Sequence, residues 1–138
     1  LYSLGFYKMV EKHLKPFGAM VTQSTSPLYS PEAFLCIKKT MQAANFSTLP
    51  YQNSVPSMGQ WGWVLGIRKK IMPAKRLKQE VIAQKLPDIE TRFFNQNAMI
   101  SMAYFGKGLF ENEKKIEPNT QFNHNILKYY RQGSWDLY

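Results

Sequence analysis

The amino-acid sequence predicts an α/β fold, the closing half of a doubly wound sheet with an antiparallel last strand, followed by a mainly helical C-terminal extension. Three observations carry this. Residues 1–70 run helix, strand, helix, strand, tight loop, strand. Between the last two strands only the stretch from Pro56 to Gly59 is left for a turn, which makes them antiparallel. Residues 71–138 carry helix-period segments and no further strand pattern. Two units are therefore expected, 1–70 in the sheet domain and 71–138 packed on it.

In residues 2–14, Leu4, Tyr7, Val10, Glu11 and Leu14 recur at three- and four-residue steps, an amphipathic helix. Ser3 is its expected N-cap, Lys12 and His13 suit the negative end of its dipole, and Pro16 with Gly18 stops it. Residues 19–23 are short and apolar between Gly18 and a Ser/Thr/Pro cluster, the pattern of a buried parallel strand. Ser30, Pro31 and Glu32 supply a cap, an N1 proline and an early acid, starting a helix to about Ala44 with Ala33, Phe34, Ile37 and Met41 inward. Asn45 ends it.

Residues 46–55 form a strand that Pro50 confines to an edge or a bulge, and residues 60–67 form the next. Residues 72–86 suit a surface helix or a basic linker, with Leu77, Val81 and Ile82 at helical steps. Residues 95–105 suit a short helix with Ala98, Met99, Met102 and Phe105 apolar, ended by Gly106 and Gly108. Residues 111–121 are polar and expected as loop. Residues 123–131 form a last helix bearing Ile126, Leu127 and Tyr130, and Gly133 to Trp135 closes it.

With 138 residues, 44% of them hydrophobic, the chain can bury one core and not two. No apolar run approaches the roughly 20 residues of a membrane span, and no signal-peptide pattern is visible. The first residue is Leu, so the chain is expected to be part of something longer. The net charge of +9 gives a generic anionic affinity. Its clusters at residues 68–70, 75–78 and 114–115 are not interleaved with a nucleic-acid motif, so no nucleic acid is expected. A single cysteine excludes an internal disulfide.

Few residues suggest catalysis. His13 and His124 lie far apart near helix ends, which suits capping and not a metal site. Cys36 falls mid-helix and reads as packing. No phosphate-binding glycine loop and no nucleophile elbow is present. The only aspartates, Asp88 and Asp136, look peripheral. What remains is position. Ligands of open α/β sheets bind beyond the carboxyl ends of the strands, where Gln23 and the loop from Val55 to Trp61 fall. The amide of Gln23 and the indole face of Trp61 suit a small organic cation or amine. The same residue types also suit plain packing, with Gln23 bonded to backbone and both tryptophans in the core.

Several runs occur in order: Leu1-Tyr-Ser-x-x-Phe-Tyr7, Leu14-Lys-Pro-x-Gly18, Val21-Thr-Gln23, Ser26-Pro27 and Val55-Pro-Ser-x-Gly-x-Trp-Gly-x-Val-Leu65. Further on come Arg92-Phe-Phe-Asn95 and Asn125-Ile-Leu-Lys-Tyr-Tyr130 with Trp135. Together they resemble spermidine synthases (polyamine aminopropyltransferases), most of all the bacterial branch whose full-length members often carry an N-terminal membrane region. The resemblance implies the Rossmann-like, methyltransferase-type sheet. It implies transfer of an aminopropyl group from decarboxylated S-adenosylmethionine, a co-substrate and not a cofactor, to putrescine, making spermidine. It implies Leu1 near the adenine, Gln23 facing the amine and Trp61 as aromatic wall.

The family's glycine-rich nucleoside loop and catalytic aspartate correspond to positions before Leu1, so the chain alone is expected to be inactive. No metal is implied, and a homodimer is among the partners to be considered. A cytoplasmic-face location follows, with any membrane anchor outside these residues. Val55 stands where the family often has tyrosine, and residues 122–125 stand where an acid is usual. The alternative is a non-catalytic basic module that grips an anionic partner through residues 68–78. A half-sheet also leaves an edge open, so the isolated chain is expected to associate or dissolve poorly.

Overall fold

The computed structural model describes residues 1–88 and 90–137. The elements run α1 (Leu4–His13), β1 (Ala19–Gln23), α2 (Pro31–Ala43), β2 (Phe46–Val55), β3 (Gly59–Arg68), α3 (Ala74–Ala83), α4 (Gln96–Met102) and α5 (Asn125–Arg131). Short 3-10 turns cover Glu113–Lys115 and Trp135–Leu137. The sheet order is β1-β3-β2, with β3 antiparallel to both neighbours. β1 and β2 thus run in the same direction with the last strand inserted between them.

That insertion corrects the expectation for β1. It bonds to an antiparallel strand, and its residues alternate between exposed and half-buried. Among the described residues, its outer edge has no strand partner. Pro50 sits opposite Val64 on β2, the other edge strand, where a missing N–H is tolerated.

Alternation along β3 divides its side chains between two faces. Gly62, Val64 and Gly66 face α2. A Cβ on Gly62 would stand 2.5 Å from the Phe34 ring, and one on Gly66 would stand 2.6 Å from the Met41 methyl. Glycine at both positions lets α2 lie directly on the sheet. Phe34, Ile37, Met41, Phe46 and Val64 form the core there with Tyr7 of α1.

All five residues 33–37 are buried, because α2 is covered on its far side as well. The cover is α5, through Ile126 and Tyr129, together with the stretch expected as a polar loop. That stretch is largely irregular, but Ile116 and Asn119 are buried in it, and the Asn119 N–H donates to Thr40 Oγ1 at 2.8 Å. Its carbonyls and amides bond to α2 side chains, which composition does not reveal. The Ser30 cap is also corrected. Its hydroxyl is buried and bonds to none of the described groups, and α2 begins instead on Pro31 and Glu32. Ser3 does cap α1, accepting from the Phe6 N–H at 3.2 Å. Asn45 ends α2 in the left-handed region, φ 67°.

On the second sheet face, α3 and α4 pack beside β2. Val81, Met99 and Met102 enclose with Leu49 and Leu65 an apolar hollow of about 340 Å³ that opens at Val21. The segment 72–86 thus contains a helix, Ala74–Ala83, anchored by buried Leu77.

Two core groups make stability pH-dependent. Burial pushes the Cys36 thiol from 9.0 up to about 11. Burial also holds the Tyr7 hydroxyl well above its ordinary 10.0, against a weaker opposing bond to Thr22. Both groups keep their protons to higher pH in the fold than in the unfolded chain. Their contribution is therefore whole below the unfolded values and is lost as pH rises through the folded ones. For Cys36 the loss between pH 9 and 11 is on the order of 2 kcal/mol. Urea midpoints are expected to fall over that range, and Cys36→Ala is expected to flatten the fall. An unchanged slope in the variant would contradict it.

Candidate functional site

The carboxyl ends of β1 and β2 lie at one end of the sheet, with the start of β3 between them. In the register, Gln23 is opposite Trp63, Trp63 is opposite Tyr51, and Trp61 is opposite Asn53. Cross-strand partners share a face, so these five residues project from the face that α2 does not cover. Tyr51 and Trp63 stack at 5.7 Å with 16° between their planes. Burial raises the Tyr51 hydroxyl above its ordinary pKa, so it stays protonated and able to donate.

Past Gln23 the pairing changes. The Ser24 N–H donates to the Gly62 carbonyl, and the Gly62 N–H donates to the Thr25 carbonyl, both at 2.8 Å. Two residues oppose one, which is a bulge, and Thr25 takes φ 62° to make it. The loop that follows is held by short-range bonds. Ser26 Oγ accepts from the Leu28 and Tyr29 N–H groups at 3.2 and 3.1 Å. The Tyr29 carbonyl accepts from the Ser134 N–H at 2.7 Å. The β2–β3 turn closes with Met58 N–H on the Val55 carbonyl at 2.9 Å and Gly59 at φ 64°. The Tyr29 ring lies 3.6 Å from where a Gly59 Cβ would stand, so the C-terminal tail, the β1 loop and the turn brace one another.

Gln23 is exposed at the rim. Trp61 is half-buried, and its indole nitrogen is buried with no hydrogen-bond partner among the described residues, as is Thr25 Oγ1. Unpartnered buried polar atoms are uncommon and mark a place where a bound molecule or a small shift completes the bonding. Leu1 stands apart from this group. It is 89% exposed, ahead of α1, and α1 packs through Tyr7 and Thr22 on the opposite sheet face.

Sequence reasoning missed Tyr51, Asn53 and Thr25. Pairing residues outward from the 56–58 turn would have found the first two. Thr25 carries no signal, because a bulge depends on its partner strand.

Taken alone, these side chains can bind and orient. They include an amide, indole and phenol faces and a hydroxyl, and no carboxylate or imidazole. His13 bonds through Nδ1 to the Met9 carbonyl at 2.8 Å, and His124 is exposed at the start of α5. Among the described residues no three His, Cys, Asp or Glu could share a metal ion, and no helix is long and apolar enough to cross a membrane.

The solved spermidine synthase bound to the transition state analogue AdoDATO superposes with a TM-score of 0.62. It is 19% identical and covers 83% of this chain and 40% of its own. The Thermotoga maritima spermidine synthase gives the same score and covers 39% of its own chain. At this identity the likeness shows the fold, a Rossmann-like sheet with an antiparallel last strand. The polyamine aminopropyltransferase of Oceanobacillus iheyensis is 30% identical over 142 residues, covering 100% of this chain and 25% of its own length. That of Mycobacterium tuberculosis is 31% identical over 136 residues, covering 99% and 24%. Polyamine aminopropyltransferase 2 of Ralstonia nicotianae is 29% identical over 132 residues, covering 96% and 24%. The chain thus spans about a quarter of the length of the curated relatives it matches. Residues 1–79 match the spermine/spermidine synthase domain, and with more than half of its length inside that match the chain belongs to this family.

Proposed function

We propose that this chain forms the amine-binding side of a transferase that moves an aminopropyl group from decarboxylated S-adenosylmethionine to putrescine, yielding spermidine and methylthioadenosine. One observation supports it above the others. Gln23 and Trp61, a hydrogen-bond acceptor and an aromatic wall, share one face at the carboxyl end of β1 in a chain of this family. The reaction is a direct displacement. The amine nitrogen forms a bond to the aminopropyl carbon as the carbon–sulfur bond breaks, and the electron pair neutralises the sulfonium. The nitrogen's extra proton passes to a base. The Gln23 carbonyl oxygen can hold an amine N–H, and the indole face can hold the distal ammonium by cation–π attraction. Leu1 would border the adenine in this reading. Decarboxylated S-adenosylmethionine enters as co-substrate, and displacement by an amine calls for no separate cofactor.

The base is absent from this group of side chains, so the purified 138-residue chain is expected to make no spermidine. Its appearance in a chromatographic assay would overturn that expectation. In a longer enzyme containing these residues, Trp61→Ala is expected to raise KM for putrescine about tenfold, the value of one desolvated cation–π contact. KM for the nucleoside substrate should hold. Equal changes for both substrates would contradict the assignment.

The reading as a basic module has less support. Arg68 is turned inward against α1, and Arg76 pairs with Glu80 at 3.1 Å. Of that stretch, Lys75 and Lys78 are the cations that face a cavity.

A further inference from the structure

A cavity of about 790 Å³ lies beside the middle of β2, at the far edge of the sheet from β1. Its roof is α3 and its end wall is the stretch after α4. The volume is in the range of small-molecule sites and far exceeds what an inorganic ion needs. The wall is mostly apolar, formed by Leu49, Pro50, Ile82, Ala103, Phe105 and Phe110. Its charged groups are all cationic. Lys75 and Lys78 stand on the α3 stripe that also carries Ile82, at three-, four- and seven-residue spacing. The Lys78 ammonium lies 4.1 Å from the Tyr104 ring centre, which places it at the cavity and not out in solvent.

Among the described residues no acid lines the cavity, and α3 has none in its first turn. The nearby acids are engaged elsewhere. Glu80 pairs with Arg76, four residues before it on α3. Glu113 pairs with Lys38, which lies over the outer Phe110 ring at 5.5 Å. The cavity therefore has an apolar body and an uncompensated double positive charge at one side.

We propose that this cavity binds a small amphipathic anion, a carboxylate carried on an apolar chain or ring. The carboxylate bridges Lys75 and Lys78, and the tail lies along Leu49, Ile82 and Phe105. An apolar amine would bring like charge to two lysines, and a simple anion would leave the apolar wall wet. The site is separate from Gln23 and Trp61 and does not depend on the activity proposed for them.

The test is equilibrium dialysis of radiolabelled octanoate against the 138-residue chain, with unlabelled octanoate, octylamine and 1-octanol as competitors. One saturable site is expected, displaced by octanoate and hardly by the amine or the alcohol. The double variant Lys75→Gln/Lys78→Gln should weaken octanoate binding about fivefold, the value of one partly desolvated ion pair. Gln79→Trp, on an exposed lining residue, should fill the cavity with both lysines intact and abolish binding. Non-saturable uptake, equal competition by octylamine or octanol, or unchanged binding in either variant would each overturn the proposal.

Discussion

Replacing Phe34 with alanine is expected to destabilise the fold by about 3–5 kcal/mol, the range for removing a fully buried aromatic ring. Phe34 is 0% exposed, and its ring lies 5.7 Å from that of Phe105. It fills the space that Gly62 leaves open on the sheet. The converse change is also costly. In Gly62→Ala the new Cβ meets the Phe34 ring at 2.5 and 2.8 Å and the Thr25 carbonyl at 3.0 Å. Neither a ring in a packed core nor a bonded backbone oxygen yields easily, so a loss of about 1–3 kcal/mol is expected. The pair should be coupled. Phe34→Leu with Gly62→Ala should cost clearly less than the sum of the single changes, because the smaller side chain makes room for the methyl. Urea unfolding of the four proteins measures this. Additive losses, or a loss below about 1 kcal/mol for Phe34→Ala, would show that the two do not share one packing site. The link to function is direct, since displacing Thr25 moves the bulge beside Trp61.

Arg68→Ala is expected to cost about 3 kcal/mol, near the lower end for removing one partner from a largely buried charge pair. The Arg68 side chain is 11% exposed, with Nε 3.4 Å from a Glu11 carboxylate oxygen. It also donates to the Glu11 carbonyl at 2.9 and 2.7 Å, to the Lys12 carbonyl at 3.3 Å and to the Leu14 carbonyl. The Glu11 and Lys12 carbonyls belong to the last turn of α1 and that of Leu14 follows it, where no helical N–H remains to bond them. One guanidinium at the end of β3 therefore caps α1 and ties it to the sheet. Arg68→Lys should recover only part of the loss, because a single ammonium cannot reproduce the fork of donors. Urea midpoints and hydrogen exchange of the α1 amides report on both variants. Full stability in Arg68→Lys would contradict the capping role.

The same residue shows what a charge cluster in the sequence conceals. Arg68, Lys69 and Lys70 are adjacent, yet the first is buried against α1 while its two neighbours are exposed. Strand alternation and a helix end decide that. The 111–121 stretch is a second case. Its polar composition suits a loop, and its backbone is indeed mostly irregular. Its docking on α2 arises from bonds such as Cys36 Sγ to the Glu117 carbonyl at 3.3 Å, between residues far apart in sequence.

Local physics settled several of the element boundaries, although the helix expected over 95–105 ends at Met102. Ser3 before α1, Pro31 at the start of α2, Asn45 after it and the 56–58 turn each act within a few residues, so periodicity and turn chemistry locate them. The alternation of Trp61, Gly62, Trp63 and Val64 became a large-residue face and a small-residue face once the register paired β3 with both neighbours. The family could also be identified from short runs in order. Strand order and register belong to the tertiary structure. That β3 inserts between β1 and β2 depends on which edge offers free backbone groups and apolar cover, and no local pattern encodes it. The register then brings Gln23, Tyr51, Asn53, Trp61 and Trp63 to one end of one face and leaves Leu1 apart, because side-chain neighbours in a sheet are decided across strands.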